Sequence, residues 1–229
     1  SDSCREGILK FVQQDCPDPR VALDLLQGTL DKENRHPWQS VNYLESHDDY
    51  AFIDRLCQPH DYEDDKPPAE IESKVRLALG LVLLSPGIPM LSAGQDFLRG
   101  KQGVRNTYLR GDLNALDYSK MSKFKELGEW VSSLIELRLS SEGRFLRPES
   151  LTNFSYEEIL IKGVAVFGLA IREEKGRGSW LILINASDLA VTGLPAEFGD
   201  LSQATLLSGQ IVKKPDFINR MDIQVWQLC

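Results

Sequence analysis

Apolar and polar positions along the chain fall into two regimes, helical spacing first and strand-like runs later. In Ser1–Leu30, Ile8, Leu9, Phe11 and Val12 form one apolar face. Pro17 and Pro19 break the pattern, Val21, Leu25 and Leu26 resume it, and Gly28 supplies a stop. Ser40–Leu44 reads as a short strand, because Val41, Tyr43 and Glu45 alternate with Asn42, Leu44 and Ser46. Polarity then rises at once through Glu45, Ser46, His47, Asp48 and Asp49. Pro68 opens a helix whose apolar stripe is Ile71, Val75, Ala78, Leu79, Val82 and Leu83, and Ser85-Pro86-Gly87 closes it. Ile88–Ala93 follows as a nearly continuous apolar run, the pattern of a parallel strand buried on both faces. Strand, helix, strand is one crossover unit. A further helix is expected from a Ser122 cap, with Phe124, Leu127, Val131, Leu134 and Ile135 buried.

From Ser141 the helical spacing ends. Ile159-Leu160-Ile161, Val164–Ile171, Trp180–Ile184, Ala204–Leu207 and Ile223–Leu228 are strand candidates, separated by turn signals at Gly163, Lys175–Gly178, Asn185–Asp188 and Ser208-Gly209. So many short strands in so short a stretch predict a small antiparallel sandwich with a core of its own. The predicted organisation is therefore α/β plus all-β, with residues 1–140 and 141–229 as its two parts.

Composition narrows the function classes. With 42% hydrophobic and 26% charged residues, the chain of 229 residues has an ordinary globular make-up. A formal net charge of -8 argues against a nucleic-acid backbone or an anionic membrane as partner and leaves a neutral substrate open. The apolar run Ala78–Leu84 is too short to span a bilayer. Cys4, Cys16, Cys57 and Cys229 follow no zinc or redox spacing, and such sparse thiols point towards a reducing compartment. No signal-peptide order opens the chain, which reads as a piece of a longer protein. His60, Asp61, Glu63 and Asp64 lack a ligand register, so the acidic, Pro-rich stretch around them reads as a solvated loop; no metal or cofactor is expected. Trp38 is a candidate sugar platform, though packing under its own Pro37 is the better reading.

The stretch Val41–Asp48 sends a base and a carboxylate, His47 and Asp48, out of the C-terminal end of a strand. In parallel barrels catalytic groups sit at that mouth. On spacing alone, capping of a turn is the better reading, because His-Asp pairs are common. The residues NYLESHDDYAFIDRL, however, resemble the region around the seventh barrel strand of the α-amylase superfamily, glycoside hydrolase family 13. The stretch Gly94–Tyr118 resembles the loop after the eighth strand in the pullulanase and isoamylase members: Gly94, Gln95, Asp96, Phe97, Arg99, Lys101, Asn106, Tyr108, Asp112, Asn114 and Asp117 keep the order, while Gly100, Thr107 and Tyr118 depart from it. SDSCREGILKF resembles the segment after the sixth strand.

The resemblance implies a fold made of the last βα units of a (β/α)8 TIM barrel followed by a C-terminal antiparallel β-sandwich. It implies a glycoside hydrolase that cleaves α-glucosidic bonds, α-1,6 branches above all, in pullulan, starch or glycogen. Asp48 becomes the transition-state-stabilising carboxylate, and His47, Asn106, Tyr108, Asp112 and Asn114 become contacts for the α-glucan. Asp49 stands where the pullulanase-like members usually have Asn. Arg99, Lys101 and Asp117 read as residues that hold their own loop together. The nucleophile and the acid of such enzymes lie on earlier strands, so the N-terminal remainder of the protein is an expected partner and the piece alone is expected to be inactive. The alternative is a non-catalytic glucan-binding or scaffolding relative. An Arg-x-Asp strand end and a Glu strand end in the preceding sequence separate the two.

Overall fold

The computed structural model describes residues 2–14, 17–30, 36–57, 67–208 and 217–228. The His60–Asp64 reading and the Gly209 turn lie outside them. Among the described residues, the chain runs through helices α1 (Asp2–Gln13) and α2 (Pro19–Gln27), strand β1 (Val41–Asn42), helices α3 (Phe52–Cys57) and α4 (Ala69–Leu84), strand β2 (Ile88–Pro89), and helices α5 (Gly111–Asn114), α6 (Lys120–Lys123) and α7 (Lys125–Leu139). Strands follow: β3 (Phe154–Ile159), β4 (Val166–Glu173), β5 (Ser179–Asn185), β6 (Val191–Thr192), β7 (Thr205–Ser208), β8 (Phe217–Ile218) and β9 (Asp222–Gln227).

Local chemistry explains several boundaries. Gly28 ends α2 in the left-handed conformation, as the sequence predicted; Asp18 caps its start by accepting from the Arg20 amide, and Pro19, read as a break, occupies its first turn. Pro68 precedes α4, where Glu70 and Glu72 suit the positive end of the helix. From Leu77 onward α4 is buried on every side, which is more than the stripe the spacing predicted. The reason is its position: α1, α2 and α3 pack against it, and so do α7 and β9. The close approach falls at Gly80, where an added Cβ would sit 2.6 Å from Ile223 and 3.0 Å from Trp130.

Strands β1 and β2 pair in parallel, Val41 with Ile88 and Asn42 with Pro89, and α4 crosses between them. Both are shorter than predicted. The burial on both faces expected of Ile88–Ala93 is not seen either: Ile88 and Met90 are exposed. These strands form a sheet of two, so among the described residues no further strand covers them.

Beyond α7, β3-β4-β5-β9-β7 form one antiparallel sheet in that order, and β6 pairs with β8. Strand side chains alternate between two apolar cores. Phe167, Leu169, Ile171, Ile182, Ile184, Ile223 and Val225 belong to the core that also holds the helices, from Ile8 through Leu134. Val166, Ala170, Leu181, Leu183 and Trp226 face a smaller core closed by Phe198, Leu201 and Ile218. The sheet thus shares its inner core with the helical part, and only its outer core is its own.

Two boundaries differ from expectation for physical reasons. β3 is the edge strand Phe154–Ile159, not Ile159-Leu160-Ile161, and it alternates buried and polar positions as a half-covered strand does. Its Glu158 accepts from Arg20 and Gln27 of α2. Ser122 does not cap the last helix; its hydroxyl donates to the Ser119 carbonyl inside α6, and α7 begins after Phe124. Leu127, Trp130, Val131, Leu134 and Leu137 are buried along α7, whereas Ile135 is exposed.

Candidate functional site

The C-terminal end of β1 is fixed before the candidate residues begin. Asn42 donates to Ser85 Oγ at 3.0 Å and to the Pro86 carbonyl at 2.9 Å, which ties β1 to the end of α4. Arg138 ties down the same corner. Its buried guanidinium donates to the carbonyl oxygens of Leu83, Ser85 and Gly87 at 2.8, 2.9 and 2.6 Å. Loss of water brings its pKa down to about 10.

Past Leu44 the chain turns, and its acidic residues separate. Glu45 is buried, and its Oε2 accepts from the Phe52 amide at 2.5 Å, at the start of α3. Its Oε1 has no hydrogen-bond partner and lies 3.9 Å from Arg99. Burial pushes this carboxyl above its ordinary value, opposed by the Phe52 amide, Arg99 and Lys101. His47 and Asp48 project into solvent, with side-chain exposures of 90% and 76%, and their Nε2 and Oδ2 atoms are 3.4 Å apart.

Asp49 adopts φ 65°, a left-handed conformation that short polar side chains tolerate. Its carboxylate pairs with Arg105 at 3.0 Å and lies 4.0 Å from Arg5. Its backbone N–H donates to Asn106 Oδ1 at 3.1 Å. The Asp at this position therefore meets two cations from this same chain.

The loop from Gly94 to Tyr118 wraps this turn. Asn106, itself at φ 56°, is a bridge to the Asp48-Asp49 turn as well as an exposed amide. Tyr108 is 83% exposed. Asp112 is exposed and held by the Arg110 guanidinium at 2.9 and 2.7 Å, a contact that keeps its carboxyl below the ordinary range. Asn114 turns inward instead. Its Oδ1 accepts from Arg99 at 3.2 Å and Thr107 at 2.7 Å, and its Nδ2 donates to the Thr107 carbonyl. Geometry thus gathers His47, Asp48 and Asn106 at one turn, leaves Tyr108 and Asp112 on the outer face of the loop, and gives Asn114 a structural hydrogen-bond set.

Sequence reasoning did not place three residues at this turn: Arg5, Glu45 and Arg105. Lys101 carried a misleading signal, because its amide and its ammonium donate to the His47–Asp54 segment, while its carbonyl accepts from the Val104 amide of its own loop. Trp38 also departs from expectation. It is half exposed and stacks on His36 at 4.6 Å, while Pro37 is buried. Among the described residues no group of three or more His, Cys, Asp or Glu side chains is arranged to hold a metal ion, and no helix is long and apolar enough to cross a membrane.

This parallel strand end with its wrapped loop has counterparts in known proteins. No family model matches the chain. Over 103 residues, 44% of the chain, it is 41% identical to the pullulanase of Bacillus subtilis. Over 202 residues it is 27% identical to the glycogen debranching enzyme of Dickeya chrysanthemi. The whole chain superposes on the pullulanase from Anoxybacillus sp. LM18-11 in complex with maltotetraose, with a TM-score of 0.80 and 22% identity. The chain is thus similar to debranching enzymes, with homologues named pullulanase, isoamylase and glycogen debranching enzyme. It spans 14% and 29% of the first two proteins and 35% of the superposed structure.

Proposed function

We propose that the chain is the C-terminal part of a glycoside hydrolase that opens α-1,6 branch bonds in α-glucans such as pullulan, starch or glycogen. Residues 1–140 are then the last units of a (β/α)8 barrel, and residues 141–229 a β-sandwich domain. The observation that carries this reading is the His47-Asp48 pair, solvent-facing at the C-terminal end of a parallel strand and bridged through Asp49 to Asn106 of the following loop. Family members named for debranching, and structures of pullulanases with maltooligosaccharides, support a glucan as the ligand.

The chemistry follows from the position. Glycosidic cleavage passes through a transition state with positive charge on the sugar ring, served by a nucleophilic carboxylate and an acid. In this reading those two come from the part of the protein that precedes the chain. Asp48 accepts from sugar hydroxyls, and its negative charge gains strength as the ring becomes cationic. His47 donates or accepts beside it. Tyr108 offers a face and a phenol, while Asn106 and Asp112 offer amide and carboxylate partners along the loop; Asn114, with its amide bonded to Arg99 and Thr107, holds the loop that presents them.

The test is Asp48→Asn in a catalytic module that contains this chain, assayed by reducing-sugar release from pullulan. Turnover should fall by about 100- to 1,000-fold, the loss seen for one preorganised polar group at a transition state, with an unchanged thermal midpoint. Near-normal turnover would remove the role given to Asp48. The chain alone should release no reducing sugar.

A further inference from the structure

Lys101 occupies an unusual place for a loop lysine. Its side chain is almost wholly buried, 1% exposed, and its charge sits under the turn that carries Asp48. Lysine is seldom buried at this level without partners, because removing an ammonium from water is costly. Here two of its three N–H donors are directed at main-chain oxygens, those of His47 and Asp49, each at 3.2 Å. These carbonyls flank Asp48 on either side. The Lys101 backbone amide donates to the buried Asp54 at 2.8 Å, which locks the base of the side chain to α3. Its positive charge also acts on the buried Glu45 below.

We propose that Lys101 is a positioning residue for Asp48, an inference that rests on the functional reading above. The ammonium gathers the carbonyls of residues 47 and 49 beneath the turn, so the peptide between them turns the Asp48 side chain outward. Asn106 supplies the complementary contact by accepting from the Asp49 amide. Both contacts come from the loop after β2. The carboxylate at the end of one strand is therefore oriented by the loop that follows the next, and Lys101 touches no sugar in this arrangement.

Substitution Lys101→Met keeps the length and apolar stem and removes the donors. In the described chain, hydrogen exchange of the amides from Ser46 to Tyr50 should accelerate by about tenfold or more while amides in α4 and β5 keep their protection. In the catalytic module, kcat on pullulan should fall by about 100-fold, the scale of a roughly 1 Å misplacement, with KM within about threefold of the unsubstituted value. A variant with unchanged exchange at the turn, or one that loses thermal stability yet keeps kcat, overturns the proposal. If the variant does not fold, the unsubstituted chain decides. Its Lys101 ammonium protons should exchange slowly and show hydrogen-bond scalar coupling to the carbonyl carbons of His47 and Asp49, and rapid exchange without coupling overturns the proposal. An unsubstituted module that cleaves no α-glucan overturns the functional reading instead, and the turn measurements judge the Lys101 clamp by themselves.

Discussion

Asp222 gives the sharpest test of the energetics. It opens β9 opposite Asn185 of β5 and is 1% exposed, and the Ile223 and Asn219 backbone and the Gln224 side chain oppose the effect of that burial only in part. Burial pushes its pKa from 3.8 up to about 6, despite the opposing charge of Arg76 on α4, whose guanidinium also lies 4.4 Å over the Trp130 ring. Between these two pKa values the folded chain holds a proton that the unfolded chain has released. Stability therefore falls as pH rises through that window, the opposite of the usual carboxylate effect. The shift of roughly two pKa units corresponds to about 3 kcal/mol, present as a penalty above pH 6 and absent below about pH 4. Asp222→Asn has nearly the same shape and does not titrate. The stability of the variant relative to the native chain should therefore grow by about 3 kcal/mol between pH 4 and pH 8. Taking the difference at each pH cancels the other carboxylates, such as exposed Asp112 and half-buried Glu173, whose lowered pKa values work in the other direction. Urea unfolding followed by far-UV circular dichroism measures it. A difference that stays flat across the range would refute the picture of a buried carboxylate with a raised pKa.

Gly80→Ala should destabilise the chain by about 1–3 kcal/mol although Ala favours helices, because the added methyl overlaps Ile223 and Trp130; thermal unfolding reads this directly. Arg138→Met should cost about 2–4 kcal/mol, since three carbonyl oxygens at the exit of α4 lose their donor; a neutral result in denaturant titration would dismiss the anchor. Tyr108→Ala should raise KM for branched glucans in the catalytic module, spare a small aryl glycoside, and leave the thermal midpoint in place because the ring is solvent-facing. Equal losses on both substrates would assign it to packing.

The legible parts of the sequence were those where local pattern and burial agree. Strands β4, β5 and β9 were visible because the shared and outer cores make both of their faces apolar, giving continuous runs such as Trp180–Ile184. The turn at Asp48 was visible as the abrupt polarity after Leu44. Edge strand β3 was not, because FSYEEI half faces water and its Glu158 is committed to α2, far away in sequence. Lys101 was read as holding its own polar loop together; only the fold places its ammonium under a turn more than fifty residues earlier. Asn114 shows the reverse error: an amide in a polar loop suggested a sugar contact, yet Thr107 and Arg99 occupy it from within. Hydrogen bonds across long sequence separations leave no periodicity to read.

What covers the inner face of the sheet decides whether the strand-rich half stands alone. The strand pattern predicts a sandwich able to bury its own core, and a proteolytic cut near Ser141 would then release a stable fragment. The inner face of the sheet argues otherwise. Phe167, Leu169, Ile171, Ile182, Ile184, Ile223 and Val225 share a core with α4 and α7, and the Phe11 ring of α1 meets Phe167 edge-on at 6.2 Å. At about 1.5–3 kcal/mol for each fully buried side chain, this face is worth roughly 10–20 kcal/mol. If the helices provide even half of that burial, their removal costs about 5–10 kcal/mol, comparable to the whole stability of an ordinary domain. A chain of residues 141–229 alone should therefore bind a hydrophobic dye and show poorly dispersed amide signals, and limited proteolysis of the full chain should not accumulate it. Cooperative unfolding of the isolated segment, with dispersed signals at neutral pH, would show that the outer core suffices and that the shared core is an interface between two self-sufficient units.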